Sequence, residues 1–297
     1  MVKSMKQIIR AIFNAARSLM IAVIPGVFDR LFYLISLRRR CNLKTPMRFS
    51  EKLIWLKRYW RDPRAYVCAD KYAARQYLQD RGFGDLLIPL IAVYSSVEEF
   101  NFDELPEQFA LKAAHGSYMN IICRDKSKAS RSEITSKVKQ WLKTNFYHHY
   151  AEYPYSAMPR RVVCEQLMTE PGQQSLTEYK IICCNSVPNL IMVYYGREGG
   201  DAYTCCYDLE WNKLPVYSGK YTKAEAVLPR PQLLEYMLEI AGELSSGFPF
   251  MRVDLYEICG KVYFGEMTFF PNAGVCSFIP DEYDLIVGSK LTLPNRI

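Results

Sequence analysis

Apolar and polar residues alternate along FMRVDLYEICGKVYFGEMTFFPNAG, residues 250–274, with Met251, Val253 and Leu255 set against Arg252, Asp254 and Tyr256. A period of two predicts a β-strand, and the second alternating run after Gly260-Lys261 predicts its antiparallel partner. A three-residue loop of Cys259, Gly260 and Lys261 sets Ile258 against Val262 and, counting back, Asp254 against Glu266 on one face. Like charges so placed repel each other. A divalent cation relieves that repulsion, because Mg²⁺ takes one or two carboxylates plus substrate phosphates as ligands. Arg252 shares the face and suits a phosphate or carboxylate. A solvated hairpin with a tolerated acidic pair fits the same spacing.

Other periodicities place the remaining elements. Wound at about 100° per residue, Lys3, Lys6, Arg10 and Arg17 fall within an arc of roughly 60°, opposite Ile8, Ile12, Ala16, Leu19 and Val23. The first segment is therefore a basic amphipathic helix, followed by a second apolar stretch, Leu31 to Leu37, and by Arg38 to Arg40. Residues 42–84 are predicted helical, with a helix start at Ser50-Glu51 and another at Asp70. Leu86 to Tyr94 predicts a strand, and Asn101 to Pro106 a turn-rich linker. The stretch FALKAAHGSYMNIICRD predicts strand, loop and strand, with Lys112 near the end of the first strand and His115, Gly116 and Ser117 opening the loop. Backbone amides in such a loop can cradle phosphate; a plain hairpin turn with a surface lysine reads the same way. A helix over Ser130 to Tyr150 follows, then a strand at Arg161 to Met168 containing Glu165, Gln166 and Leu167. Thr177 to Arg197 predicts two strands split at Asn185 to Asn189, with Lys180 in the first. Tyr203 to Trp211 predicts another strand, and a helix starts with Pro231 at its first position and ends at Gly247.

Composition narrows the class. The 297 residues are 49% hydrophobic and 23% charged, as expected of a globular chain. Ten cysteines without a CxxC pair, beside only three histidines, argue against a zinc site and a disulfide framework, and so for a reducing compartment. Residues 1–40 hold eight basic residues and one acid, Asp29, so they carry the whole net charge of +7. The remaining body is balanced and has no electrostatic signature of nucleic-acid binding. The longest uncharged run at the N-terminus, Ser18 to Phe28, is interrupted by Pro25-Gly26 and is too short to span a bilayer, and no secretory cleavage site follows it. A helix lying on an anionic membrane face is one reading; a helix packed on its own domain with a solvated basic face is the other.

The order of these signals is more specific than any one of them. A strand lysine precedes a Gly/Ser loop, a hydrophobic strand ends in Glu165, a second strand carries Lys180, and RVDLY and GEMTF share a hairpin. This order resembles the ATP-grasp superfamily, and within it the TupA-like family of bacterial surface-polysaccharide biosynthesis. The resemblance runs from about Asn42 to Leu293, through SEKLIWLK, ADKY, LKAAHGS, EYKIICC, YDLEW, MRVDLYEICGKVYFGEMTF and DLIVG.

That resemblance implies an α+β ATP-grasp fold, two α+β subdomains holding ATP, behind a helical N-terminal region. The implied division is a basic segment over 1–40, a mainly helical subdomain over 41–105, a lid subdomain over 106–170 and a C-terminal subdomain with the metal site over 171–297. ATP and Mg²⁺ are the implied cofactors. Lys112 and Lys180 match lysines that reach the phosphates; Glu165, Gln166 and Leu167 match the strand that lines adenine; His115, Gly116 and Ser117 match the loop over the triphosphate. Asp254 and Glu266 match the metal carboxylates, with Thr268 and Asn272 as further candidates, and Arg252 matches the residue that steadies the transferred phosphate. Three positions depart from the pattern: Thr268 stands where many members have Asn, Tyr118 replaces a loop glycine, and Glu178 replaces an Asp. The implied activity is amide formation through an acyl phosphate on a sugar or lipid-linked glycan, at the inner face of the cell membrane. A kinase or other glycan-modifying transferase, and a non-catalytic scaffold, are the alternative readings.

Overall fold

The structure is a computed structural model and describes residues 14–172, 175–196 and 202–295. Residues 1–13, which hold Lys3, Lys6 and Arg10 of the expected basic face, lie outside the described residues. Helix α1 covers 14–23 and α2 covers Pro25–Leu37, divided at Ile24. The division follows from Pro25, which has no N–H to donate and pushes the residue before it out of the helical region. Helix α2 buries Phe28, Asp29 and Tyr33 against the body. On its other side Val27, Leu31, Leu34 and Ile35 are exposed.

Helix α3 (Phe49–Tyr59) starts where Glu51 folds back to accept the backbone N–H groups of Met47 and Arg48, at 3.0 and 3.1 Å. Ser50, expected to cap this helix, instead donates its hydroxyl to Asp284 at 2.6 Å. Short helices α4 (Arg64–Cys68) and α5 (Ala73–Gln79) complete the helical region. Asp70 ends the turn before α5 by accepting the N–H groups of Tyr72 and Ala73, at 2.8 and 3.2 Å.

Two sheets follow, antiparallel throughout except where Thr222–Lys223 runs parallel to Tyr203–Tyr207. The first comprises β1 (Leu90–Tyr94), β2 (Phe109–Ala113), β3 (Asn120–Cys123) and β4 (Val162–Gln166), in the order β1-β4-β2-β3. Strand β1 pairs with β4, so the expected boundary at residue 105 cuts through this sheet. Hydrogen bonding across the sheet, invisible in local periodicity, decides where the unit begins. Helix α6 (Arg131–Lys143) covers the sheet with Ile134, Val138, Trp141 and Leu142. The expected helix ran on to Tyr150, but the backbone leaves the helix at Thr144 and resumes only as α7 (Tyr147–Tyr150).

The second sheet is built from β5 (Glu178–Cys184), β6 (Val187–Tyr195), β7 (Tyr203–Tyr207), β8 (Lys213–Leu214), β10 (Thr222–Lys223), β11 (Phe250–Ile258) and β12 (Lys261–Thr268). Its order is β10-β7-β6-β5-β11-β12, with β8 beside β7, while β9 (Tyr217–Ser218) pairs separately with β13 (Phe278–Ile279). Helix α8 (Leu234–Leu244) lays Leu234, Met237, Ile240, Ala241 and Leu244 on this sheet. Each such burial is worth roughly 1.5–3 kcal/mol for the larger side chains. Pro231 precedes this helix rather than occupying its first position. Helix α9 (Tyr283–Lys290) returns to α3, where its Asp284 meets Ser50 and Arg39. All ten cysteines are free, and most are buried.

Candidate active site

The β11–β12 hairpin closes with a two-residue turn, Cys259-Gly260, whose φ values of 50° and 71° match the twist of the flanking strands. Ile258 therefore faces Lys261, not Val262. An extra residue, Gly265, then shifts the register, and beyond it Asp254 faces Glu266 and Arg252 faces Thr268. The expected acidic pair is present, reached by a shorter turn plus a bulge rather than a three-residue loop. Glycine is needed at the bulge because a Cβ on residue 265 would stand 3.0 Å from the Asp254 carbonyl oxygen.

Asp254 is fully buried, and its carboxylate is clamped by cations. Arg252 donates Nε to Oδ1 at 2.6 Å and Nη2 to Oδ2 at 2.7 Å, and Lys180 donates to Oδ2. The same Nη2 reaches Glu266 Oε1 and Thr268 Oγ1, both at 3.1 Å. Strand β5 places Lys180 directly beside Asp254. Lys180 also lies 3.0 Å from Glu178 Oε1, to which the Tyr256 hydroxyl donates at 3.1 Å. Burial and the Glu178 carboxylate push the Tyr256 phenol well above its ordinary range, which keeps it a donor. Burial works against ionisation of Glu266, but Lys71, Lys180 and Arg252 together hold it well below the usual carboxylate range.

These groups border a cavity of about 580 Å³ between the two sheets. Of the residues expected at the site, Lys112, Gly116, Ser117, Lys180, Arg252, Glu266, Thr268 and Asn272 line it. Lys112 is paired with Glu165 at 2.8 Å, and Arg75 approaches the same carboxylate at 3.3 Å; Lys112, Arg75 and Glu165 border a smaller adjoining recess with Leu87 and Ile88. His115 is turned away from the cavity: its Nε2 lies 2.9 Å from the Trp141 carbonyl and its Nδ1 3.2 Å from that of Arg161. It shapes the loop from behind. Gln166 and Leu167 border neither space. Tyr118 takes the left-handed conformation, φ 61°, that the family's glycine would take without strain.

Sequence reasoning missed three contributors. Lys71, inside the ADKY stretch, lies 3.4 Å from Glu266 Oε2 and donates to the Gly116 carbonyl at 2.8 Å, tying the helical region to the loop. Lys220 donates to Asn272 Oδ1 at 3.0 Å. Glu152 lines the cavity at 7% exposure, and burial pushes its carboxyl up to about 8 against the pull of Lys57. A lysine in a recognisable motif could have been flagged; Glu152, in an irregular segment between α7 and β4, gives no periodic signal.

A family model described as TupA-like ATPgrasp matches residues 51–292. The chain belongs to the TupA-like ATP-grasp family. Similar solved structures include a D-alanine–D-alanine ligase from Bacillus anthracis complexed with ATP, at 15% identity and a TM-score of 0.40, covering 68% of this chain and 55% of that one. The Helicobacter pylori D-alanine–D-alanine ligase has 14% identity and a TM-score of 0.42, covering 84% and 68%. The ATP-grasp ligase PsnB, complexed with precursor peptide PsnA2 and AMPPNP, has 12% identity and a TM-score of 0.38, covering 81% and 65%. The chain thus spans little more than half the length of the B. anthracis ligase, and likenesses this distant carry no argument about chemistry. Among curated proteins, none matches.

ATP-grasp membership raises the question of Mg²⁺. The donor set fits one cation in part. Glu266 stays anionic with its side chain 29% exposed, and Asn272 lines the same cavity with its amide oxygen accepting from Lys220; phosphate and water oxygens would complete such a shell. Asp254 differs from the open ligand expected of it. Both its oxygens are taken by Arg252 and Lys180, so it would have to exchange those partners to join a metal. Among the described residues no group of three His, Cys, Asp or Glu side chains converges on one point.

Proposed function

We propose that this TupA-like ATP-grasp protein is an ATP-dependent carboxylate–amine ligase acting on a surface-polysaccharide precursor. The carrying observation is the Arg252–Lys180–Asp254 cluster beside Glu266 at the cavity wall. Phosphoryl transfer needs positioning and charge neutralisation more than a protein nucleophile. Here two cations are fixed by a buried carboxylate, so their charge is in place before any substrate arrives. The γ-phosphate of ATP passes to a substrate carboxylate; the acyl phosphate is attacked by an amine, the C–O bond to phosphate breaks, and amide, ADP and phosphate result. Arg252 and Lys180 stabilise the charge that develops on the transferred phosphoryl group. Lys112, released from Glu165, and the Gly116-Ser117 backbone hold the nucleotide phosphates. Mg²⁺, held by Glu266 and Asn272 and by Asp254 on exchange of its partners, would neutralise the β- and γ-phosphates.

The sugar or lipid-linked glycan acceptor fits the family's setting in polysaccharide biosynthesis, and the N-terminal helices suit work at a membrane face. Leu19, Val23, Val27, Leu31, Leu34 and Ile35 are exposed along α1 and α2, next to exposed Arg30, Arg38 and Arg40. Such a combination favours an anionic lipid surface. No helix among the described residues is long and apolar enough to cross a membrane.

Phosphate release from ATP, screened with amino acids against uronic acids and amino sugars, tests the reaction. Release that requires both an amine and a carboxylate sustains the ligase; ADP formation with a sugar alone and without free phosphate makes the protein a kinase or other transferase. For the membrane face, Leu34→Glu with Ile35→Glu should abolish binding to anionic vesicles. These exposed positions are better probes than deletion of residues 1–40, which would remove Asp29 from its buried pair with Lys57.

A further inference from the structure

One carboxylate in the cavity has no part in the machinery above. Glu152 precedes the turn Tyr153–Tyr155 and closes it through its backbone carbonyl, which accepts the Tyr155 N–H at 3.1 Å. Its side chain makes no capping bond. It is more than nine-tenths buried, lines the cavity, and is engaged by no side-chain hydrogen bond or ion pair among the described residues. The cations nearest to it are already committed. Lys57 forms an ion pair with Asp29 Oδ1 at 2.7 Å and donates to the carbonyls of Tyr150 and Ala273, both at 3.0 Å. Arg252 directs Nε and Nη2 to Asp254, Glu266 and Thr268. A buried carboxylate without a partner is costly, and a cation brought by a ligand would offset that cost.

The walls beside it point to the same kind of ligand. Phe32 and Tyr150 line the cavity with their ring centroids 5.5 Å apart, and Phe270 lines it too. Aromatic faces attract cations and pack against the C–H surface of a small substrate. The phosphate-directed lysines, Lys112 and Lys180, leave this side of the cavity to Glu152 alone among the lining carboxylates outside the Glu178 and Glu266 clusters. Phe32 comes from α2, ahead of the region matched by the family model.

We infer that Glu152 anchors a primary ammonium group, and that the space between it and the Phe32–Tyr150 wall receives the amine-bearing acceptor. The inference deepens the ligase reading and rests on it for the word acceptor. An ammonium held there meets a carboxylate oxygen and two ring faces, whereas a neutral isostere brings no positive charge to either. Selection of amine over alcohol at this position follows from that difference.

Calorimetric titration of the full chain tests this with two matched pairs of probes: D-glucosamine against D-glucose, and glycinamide against acetamide. Each is titrated with and without saturating Mg·AMP-PNP. At least one ammonium probe should bind tenfold or more tightly than its neutral partner, and Glu152→Gln should remove that preference while AMP-PNP affinity stays within twofold. Absence of any preference in both pairs, or a preference that survives Glu152→Gln, overturns the inference. Should that variant fail to fold, Glu152→Asp keeps the charge on a shorter arm and must weaken the preference; an unchanged preference overturns the anchor. Lack of AMP-PNP binding with the ammonium preference intact defeats the ligase reading alone, and the reverse result defeats the anchor alone.

Discussion

Two buried clusters of cation and carboxylate act on Glu152, and they differ in how completely they are closed. Lys57 and Asp29 are 0% and 1% exposed and form an ion pair, and Lys57 also donates to two backbone carbonyls. The cluster joins α2, α3, Tyr150 and Ala273 and leaves nothing for a ligand. Arg252, Lys180 and Asp254 are also paired with one another, yet Arg252 and Lys180 border the cavity together with Glu266, Glu178 and Lys71, so a phosphate or a cation can replace one partner by another. Burial and pairing alone do not separate a structural ion pair from a site. Access does.

Breaking the closed cluster should have the largest effect. Lys57→Met leaves Asp29 buried without a cation and should destabilise the fold by about 3–5 kcal/mol in urea unfolding. The double variant Lys57→Met with Asp29→Leu should recover most of that loss, because no uncompensated charge remains. At the open cluster, Arg252→Ala should lower kcat by about 10²–10³-fold in the phosphate-release assay, while circular dichroism shows the fold retained. An Arg252→Ala variant that turns over normally would place the two clusters in the same structural class.

Glu152, which feels the charges of both, sharpens the contrast through pH. Burial raises its carboxyl from an ordinary 4.5 to about 8, with Lys57 and Arg252 pulling down and Asp29 and Glu266 pushing up. The folded chain then holds this proton more tightly than the unfolded chain, so its contribution to stability is full below about pH 4.5 and is lost as pH rises through about 8. Melting temperatures at pH 5, 7 and 9 should fall more steeply for the native protein than for Glu152→Gln. The smallest expected effect is at the loop: Tyr118→Gly removes a left-handed tyrosine and should change stability by no more than about 1 kcal/mol, the balance of relieved strain and added chain entropy.

The hairpin shows how legible the site was. Its strands, its acidic pair and the face shared by Arg252 all follow from alternation along residues 250–268. The path was misread: the turn is one residue shorter than expected, and the Gly265 bulge restores the count. Two opposite shifts of one residue cancel, because side-chain facing depends on parity alone. Lys180 and Lys112 could be placed on strands, but their partners, Asp254 and Glu165, come from other strands. His115 sat within the expected loop, and its ring still packs behind it, since a loop residue's direction depends on what lies beneath.

By itself the sequence determined the α+β class, the family and most helices and strands, because periodicity and motif order are properties of neighbours along the chain. Only the tertiary structure decided which charges are spent on one another and which face open space. Asp254 reads as a metal ligand in sequence, and in the fold its two carboxylate oxygens meet Arg252 and Lys180. Glu152 has no signal in sequence and lines the cavity with no side-chain hydrogen bond or ion pair among the described residues. The physical reason is the same in both cases: a carboxylate's chemistry is fixed by the cations and solvent within a few ångströms of it, and those are brought by segments far away in the chain.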